Sequence, residues 1–290
     1  MYEPKYPPKI NQTPMLLPSL RFGIVRKSEH VDPNANETDP LHIHSCLEIF
    51  LNVSSNISFL VNNNLYRVPV GDAVLSRPGD IHMGVFHTVD IHEYVCIWID
   101  TDFDSPLFSF LKASDFCPLC SFDEPTKKRL QALVLALQTA CDTGGTELER
   151  VCALLQIMRI LEQKKPEGST RGLIPAPLQE ILDDVQANFA QIHTVNELMN
   201  THFVSSSTLT RWFRSYLHTS PREYLESVRL SNAALLLERG ASVTEACMRS
   251  GFSDCSHFIV LFKRKFGKTP LQYKKGSPAV ETSASPTPSA

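Results

Sequence analysis

The stretch GFSDCSHFIVLFKRKFGKTP, residues 251–270, has the same pattern of polar caps and aromatic residues as HFVSSSTLTRWFRSYLHTSP, residues 202–221. Phe213 in the earlier copy stands 49 residues before Phe262 in the later one. Upstream of each copy the offset drops to 48, so one extra residue is expected just inside the last helix of the second copy. A repeat on this scale indicates two small units of one supersecondary type.

The second copy has the signals of two short helices joined by a tight turn. Residues 243–250 predict the first helix, with Ser242 as its N-cap. Gly251 supplies the positive φ that a tight turn needs. Ser253 is expected to cap the next helix, and Asp254 suits its first turn. That helix would bury an apolar stripe that recurs every fourth residue, formed by Phe258, Phe262 and Phe266.

The earlier copy has the same arrangement. Its leading helix is predicted from residue 195 to about residue 201 with Thr194 as cap, and Ser205 caps the helix that follows. That second helix would bury Leu209 and Phe213 and leave a polar and basic face in solvent. An ordinary helical bundle is the alternative for either copy alone. The repeated caps and aromatic residues favour two DNA-binding helix-turn-helix units.

With these residues in view, residues 178–275 resemble the DNA-binding domain of the AraC/XylS family of bacterial transcription regulators. The resemblance is carried by Arg229, Leu230, Ala233, Leu236, Leu237, Val243, residues 251–254, residues 256–258, residues 262–264, Gly267, Thr269, Pro270 and Tyr273. It implies two helix-turn-helix units joined by a long helix, here from residue 221 to about residue 239. Pro221 suits the first turn of that helix.

The resemblance also implies which side chains meet DNA. In the first unit Ser207, Thr210 and Arg211 would face bases, with Ser206 beside them. Arginine can bind both acceptors of guanine in the major groove. Phosphate contacts, which position the protein without specifying sequence, are expected from the basic residues of both units: Arg214, Lys263, Arg264 and Lys265.

The second unit departs from the family pattern. Ile259 and Val260 stand where an arginine is usual, so Ser256 and His257 remain as its polar contacts with bases. We therefore expect sequence specificity to depend mainly on the first unit, with the second unit mainly positioning the domain.

Charge is divided unevenly along the chain. Residues 178–275 carry 12 Lys and Arg against 9 Asp and Glu, a net charge of +3, whereas the whole chain has a net charge of −3. An acidic sensor joined to a mildly basic DNA-binding domain fits this division. A net charge of only +3 predicts modest DNA affinity for one domain, and therefore a homodimer.

The amino-terminal part has the pattern of a β-rich domain. Turn signals at residues 62–64 and 70–72 separate short β-branched or aromatic runs. Many short strands at regular spacing indicate a sandwich or a barrel. The predicted strands are residues 47–53, 57–61, 66–68, 73–75 and 94–99.

Two motifs in this part resemble the signature motifs of cupin barrels. The first is His42-x-His44-x3-Glu48, and the second begins at Gly71 and ends at His82. Arg77 replaces an expected proline and Phe86 an expected asparagine. The resemblance implies a divalent transition-metal site formed by His42, His44, Glu48 and His82.

The favoured alternative is that a sensor keeps these side chains without a metal and uses them for pocket shape or ligand hydrogen bonds. With Trp98 as a fifth lining residue, they would suit a polar ligand such as a sugar, by hydrogen bonding and stacking. No cofactor is then required.

Two amphipathic helices are predicted between the β-rich and DNA-binding parts, at residues 127–138 and 147–162. In AraC-like proteins such helices form a dimer interface. Packing on their own barrel is the equal alternative.

The predicted fold is therefore α+β: a cupin-like β-barrel, then helices, then an all-α domain with two helix-turn-helix units. The predicted divisions are the barrel at 1–122, the helical segment at 123–163, a linker at 164–177, the DNA-binding domain at 178–275 and a disordered tail at 276–290. The chain has no apolar run of membrane-spanning length and no signal-peptide stretch at its start. Together with eight Cys, this predicts the reducing cytoplasm.

The expected function is sequence-specific transcription regulation, as an activator that responds to a small polar effector, with promoter DNA and RNA polymerase as partners. No enzymatic activity is expected. Two alternatives remain: a metal-dependent cupin enzyme with a DNA-binding appendage, and a ligand-independent regulator whose barrel is only structural.

Overall fold

The structure is a computed structural model that describes residues 20–32, 41–54, 56–101, 103, 106–114, 116–163 and 173–276. Most of the predicted linker, at 164–172, and the predicted tail from residue 277 onward lie outside the described residues, as do residues 1–19 and 33–40.

The amino-terminal part is a β domain of eight described strands in two antiparallel sheets. The strands are β1 (Arg21–Val31), β2 (Leu47–Asn52), β3 (Ile57–Val61), β4 (Asn64–Val68), β5 (Ala73–Ser76), β6 (His82–Phe86), β7 (Asp90–Asp100) and β8 (Leu119–Cys120). One sheet has the order β1-β7-β2-β5-β8 and the other the order β4-β3-β6. A 3₁₀-helix, Pro106–Lys112, lies between β7 and β8.

The expected closed barrel is not formed. No strand pairing joins the two sheets within the part of the chain that the structure describes. Instead the sheets face each other across an apolar layer to which both contribute, with Phe50 and Trp98 from one sheet and Phe59 and Phe86 from the other. The β domain is therefore a two-layer sandwich, the other architecture that the strand spacing allowed.

All five predicted strands form. The sequence did not reveal β1, β6 and the two-residue β8. In β1 charged residues interrupt the apolar pattern, and in β6 Gly84 weakens it.

Two helices cover the outer face of the five-stranded sheet. They are α1 (Glu124–Asp142) and α2 (Glu147–Glu162). Leu130 and Val134 of α1, and Leu154 and Ile157 of α2, share one apolar core with that sheet. The two predicted helices thus pack on their own β domain, which leaves a dimer role untested.

The remaining helices form the all-α part. They are α3 (Ala176–Asn188), α4 (Val195–Thr201), α5 (Ser206–Leu217), α6 (Pro221–Glu238), α7 (Val243–Arg249), α8 (Cys255–Phe266) and α9 (Pro270–Gly276). The predicted bounds of α4 are the observed ones, and those of α6 and α7 differ by one residue. No helix in the described ranges is long and apolar enough to cross a membrane.

The all-α part packs against the outer face of the three-stranded sheet. Leu60 of β3 and Met83 of β6 lie in one apolar core with Leu182 of α3, Phe213 of α5 and Tyr224 of α6. The strands between the layers are therefore buried on both faces, which explains their continuous apolar runs.

Candidate functional site

The first helix-turn-helix unit is formed by α4 and α5 as the sequence predicted. Thr194 caps α4 and Ser205 caps α5, each through a side-chain oxygen that accepts a backbone N–H. Leu209 and Phe213 are buried, and α5 turns its polar face to solvent. The predicted DNA contacts of this unit are all exposed: Ser206, Ser207, Thr210, Arg211 and Arg214.

The second unit, α7 and α8, differs from the prediction at its turn. Asp254, not Ser253, is the N-cap of α8, and its carboxylate accepts the N–H of Ser256. The extra residue of the second copy therefore lies in the turn before α8, not inside the helix. Gly251 has a φ of +82°, and a Cβ there would lie 2.7 Å from backbone atoms of Ala190. Only glycine fits this turn, because the loop between α3 and α4 lies directly behind it.

The outer face of α8 is less polar than that of α5. Ser256 and His257 are exposed near its start, and Val260 is 64% exposed in the middle of the helix. This agrees with the expected lack of an arginine in the second unit. An exposed valine can still contact a thymine methyl group.

The basic side chains of α8 have three different environments. Lys263 is exposed, and Arg264 is paired with Glu226 of α6 at 2.6 Å. Lys265 corrects the prediction of a phosphate contact. Its Nζ is partly buried and donates to the backbone oxygen of Leu41 in the β domain at 2.6 Å. Lys265 is therefore an interdomain contact.

The predicted ligand residues of the β domain all meet at one point. That point is Oε2 of Glu48, which lies 2.9 Å from His44 Nε2, 3.2 Å from His82 Nε2 and 3.8 Å from His42 Nε2. Trp98 Nε1 donates to the same oxygen at 2.9 Å. Paired strands bring them together, since Glu48 of β2 stands opposite Trp98 of β7. We call His42, His44, Glu48 and His82 the His–Glu cluster.

The far sides of two imidazoles are fixed by backbone carbonyl groups. His44 Nδ1 lies 3.0 Å from the oxygen of Cys46, and His82 Nδ1 lies 2.8 Å from the oxygen of Asp80. A carbonyl oxygen can only accept, so each Nδ1 carries the proton. In a neutral ring Nε2 then directs a lone pair at Glu48. This is the tautomer and orientation found in metal-binding histidines.

The electrostatics of the cluster depend on a positive charge next to Glu48. Burial alone would raise the pKa of Glu48, but the imidazoles of His42, His44 and His82 beside it outweigh burial and hold that pKa well below its ordinary value. Burial opposes protonation of His44 as well, but Cys46 and Glu48 outweigh it and raise the pKa of His44 to about 10. The carboxylate therefore stabilises a cation in the middle of the cluster.

The cluster satisfies the basic requirements of a metal site. Its four candidate ligand atoms lie within 4.8 Å of one another, and all four side chains are buried. Three imidazole nitrogens and one carboxylate suit a divalent transition metal. Without a metal, the same atoms form a hydrogen-bonded hub around Glu48.

Several residues that join the two domains were not singled out from the sequence. Asn63 was recognised only as a turn residue, yet it is buried and bonded to α3 and α6. Ser231 of α6 donates to the oxygen of Leu41. Only the packing of the two domains reveals these contacts, because nothing in the local sequence of either partner marks them.

Comparison with known proteins supports a regulatory role. The family model described as a helix-turn-helix domain matches residues 199–276. The uncharacterised HTH-type transcriptional regulator YdeC of Bacillus subtilis is 23% identical over 261 residues, which are 84% of this chain and 89% of YdeC. The HTH-type transcriptional activator RhaS of Salmonella schwarzengrund is 24% identical over 255 residues, with coverage of 83% and 89%. Residues 199–276 therefore belong to this helix-turn-helix family, and most of the chain is similar to HTH-type transcriptional regulators.

Among solved structures, ToxT of Vibrio cholerae covers 90% of this chain and is itself covered to 98%, with 13% identity and a TM-score of 0.38. The family model and the curated relatives are those of regulators, so the chain is not an enzyme. This removes the metal-dependent cupin enzyme from the alternatives. A metal in the His–Glu cluster would then be a bound ligand and not a catalytic group.

Proposed function

We propose that this chain is an AraC-family transcription activator whose DNA binding responds to a divalent transition-metal ion held by the His–Glu cluster. The observation that carries the proposal is the convergence of three imidazole Nε2 atoms on one oxygen of Glu48. Backbone carbonyls hold the outer nitrogens of two of these rings. The bound ion would replace ring protons as the cation that the carboxylate stabilises.

A metal ion fits the site better than the sugar suggested by Trp98. The Trp98 ring is 4% exposed, and its N–H is already bonded to Glu48. Stacking on a sugar would need an open ring face. The donor set is instead compact, as a single ion requires. The proposal keeps the cupin-like ligand set without a closed barrel.

The partners follow from the DNA-binding half. Promoter DNA would be bound mainly by α5, through Ser207, Thr210 and Arg211, and RNA polymerase would be recruited from the bound site. Activation is favoured because RhaS bears the name of a transcriptional activator. Homodimerisation would use the outer faces of α1 and α2, where Leu135 and Leu148 are exposed. A protein that binds promoter DNA would act in the cytoplasm.

The test is metal binding measured together with DNA binding. Purified protein is stripped with chelator and titrated with Co²⁺, which is followed by its visible absorption. DNA affinity is then measured by fluorescence anisotropy on a site selected from random DNA, with and without the ion. We expect one Co²⁺ per chain and a change in DNA affinity of at least several fold.

The double variant His42→Ala/His44→Ala should lose both effects. The matched control is His30→Ala/His193→Ala, which removes two exposed imidazoles that do not belong to the cluster and should keep both effects. Retention of Co²⁺ by the cluster variant would refute the site. Binding of Co²⁺ with no change in DNA affinity would instead favour a regulator that ignores this ligand.

A further inference from the structure

Residues 41–46 form a segment that belongs to the His–Glu cluster on one side and to the DNA-binding domain on the other. On the cluster side, His42 and His44 point at Glu48. The backbone of His42 exchanges two hydrogen bonds of 2.9 Å with that of His82, which anchors the segment to β6. The backbone of residues 41–46 is therefore held to β6 at His42. A change in the position of either imidazole would shift this backbone.

The other side of this segment is bound by α6 and α8. The oxygen of Leu41 accepts from Lys265 Nζ at 2.6 Å and from Ser231 Oγ at 3.2 Å. The same Nζ donates to Ser231 Oγ and to the oxygen of Ser227, both at 3.1 Å. One ammonium group thus ties the β domain, the connecting helix and the base-contacting helix of the second unit together.

The cluster has an asymmetry at the end of the segment nearest Lys265. His42 Nε2 lies 3.8 Å from Glu48, whereas the other two imidazoles lie at 2.9 Å and 3.2 Å. Gathering four ligands around one ion must draw His42 in the most. The Leu41 carbonyl belongs to the rigid peptide unit that ends at His42, so it would move with it.

A shift of Leu41 reaches the DNA-contacting end of α8. Lys265 lies in the last turn of α8 and Ser256 in the first, nine residues away. That is about 14 Å of helix at 1.5 Å per residue. Because a helix of this length moves as a rigid body, displacement at Lys265 changes the orientation of Ser256 and His257.

We propose that residues 41–46 are the coupling segment that transmits the state of the His–Glu cluster to the second helix-turn-helix unit, through Lys265 and Ser231. The identity of the ion rests on the proposed function, but the coupling does not, because any change at Glu48 or His42 uses the same route. Coupling between two sites is reciprocal. DNA binding must therefore change the affinity of the cluster for its occupant by the same factor.

A double-mutant cycle tests the coupling without any ligand. DNA affinity is measured for the wild type, Glu48→Gln, Lys265→Met and the double variant, as full chains on the selected site. Glu48→Gln should change the Kd at least threefold in the wild-type background and have no further effect in Lys265→Met. Additive effects of the two substitutions would overturn the proposal, and so would an unchanged Kd for Glu48→Gln.

Lys263→Met is the matched control. It removes the same charge from the same helix two residues away, but from an exposed side chain. It should weaken DNA binding by loss of a phosphate contact while Glu48→Gln keeps its full effect. If Glu48→Gln does not fold, judged by circular dichroism, His42→Gln replaces it in the cycle.

Co²⁺ titration separates the two proposals. If Co²⁺ does not bind and the cycle is still non-additive, the metal proposal fails and the coupling segment stands. If Co²⁺ binds and changes the Kd of Lys265→Met as much as that of the wild type, the coupling segment fails and the metal site stands.

Discussion

At the residue scale, the three consecutive basic residues of α8 show what a sequence pattern leaves undecided. Lys263, Arg264 and Lys265 were all expected at phosphates, but each projects about 100° around the helix from the one before. One faces solvent, one pairs with Glu226, and one reaches the carbonyl of Leu41. The helix period separates their directions, but the direction that meets the β domain depends on tertiary packing.

Lys265 should make stability depend on pH. Burial lowers its pKa to about 7, with Glu226 opposing, whereas the unfolded chain keeps the ordinary value of 10.5. Between these values the unfolded state binds more protons, so stability rises with pH. The cost of the buried charge is fully present below pH 7. Urea unfolding from pH 6 to 9.5 should show the wild type gaining stability relative to Lys265→Met as pH rises above 7. The same gain relative to Lys263→Met would contradict the assignment to Lys265.

Arg211 should carry much of the sequence specificity. It is exposed on α5 beside Thr210, and the second unit has Val260 where an arginine is usual. Arg211→Ala should weaken specific binding by about 1–3 kcal/mol and relax the preference at one base pair. Competition gel shifts with single-base variants of the selected site measure both. Val260→Ala is the control, and a larger loss of discrimination from it would reverse the assigned roles of the two units.

At the element scale, caps and periodic apolar residues predicted the DNA-binding helices almost to the residue. The turn of the second unit is the exception, because Ser253 and Asp254 are both good N-caps and adjacent. The sequence could not decide between them. Backbone geometry decides, since α8 begins at Cys255 and the Asp254 carboxylate accepts the N–H of Ser256. The prediction of a closed barrel was wrong for a related reason. The spacing of apolar runs predicts strands, but pairing between the edge strands of the two sheets determines whether a barrel closes.

The cap assignment predicts an unequal response of two neighbouring residues. Asp254→Ala should lower the free energy of unfolding by about 0.5–2 kcal/mol, because an N–H of α8 loses its acceptor. Ser253→Ala, exposed and one position earlier, should change it by less than about 0.5 kcal/mol. Thermal unfolding of both variants measures the difference. A larger cost at Ser253 would restore the cap expected from sequence.

At the scale of the whole molecule, the layers lie in the order α1 and α2, five-stranded sheet, three-stranded sheet, DNA-binding domain. The sequence predicted most of these elements. The five residues that it marked as ligands all lie at one site. The sequence also predicted two domains joined by a linker, but it gave no sign that they dock, as Leu60 and Met83 do by sharing a core with α3, α5 and α6. A leucine on the outer face of a sheet has the same sequence pattern whether it packs against its own domain or against another. The docking of the two domains could therefore not be predicted.

Asn63 should control that docking. It is 2% exposed, donates to Gln186 at 2.6 Å and Asp183 at 3.1 Å, and accepts from the Tyr224 hydroxyl at 3.1 Å. Asn63→Asp keeps the shape and tolerates the φ of +67° at this position. It loses both donors and places a carboxylate against Asp183, which should cost at least about 1–3 kcal/mol.

Because that cost falls on the contact between the domains, the single calorimetric transition expected of the wild type should separate into two, and protease should cleave the undocked chain faster. Asn64→Asp is the control, since Asn64 lies in the same turn but bonds only within it, to the oxygen of Asn62. A single unshifted transition for Asn63→Asp would mean that the apolar core alone holds the domains together.

The DNA affinity of this variant adds a further check, because the coupling segment works only while the domains stay docked. The undocked variant should bind DNA equally well with and without Co²⁺.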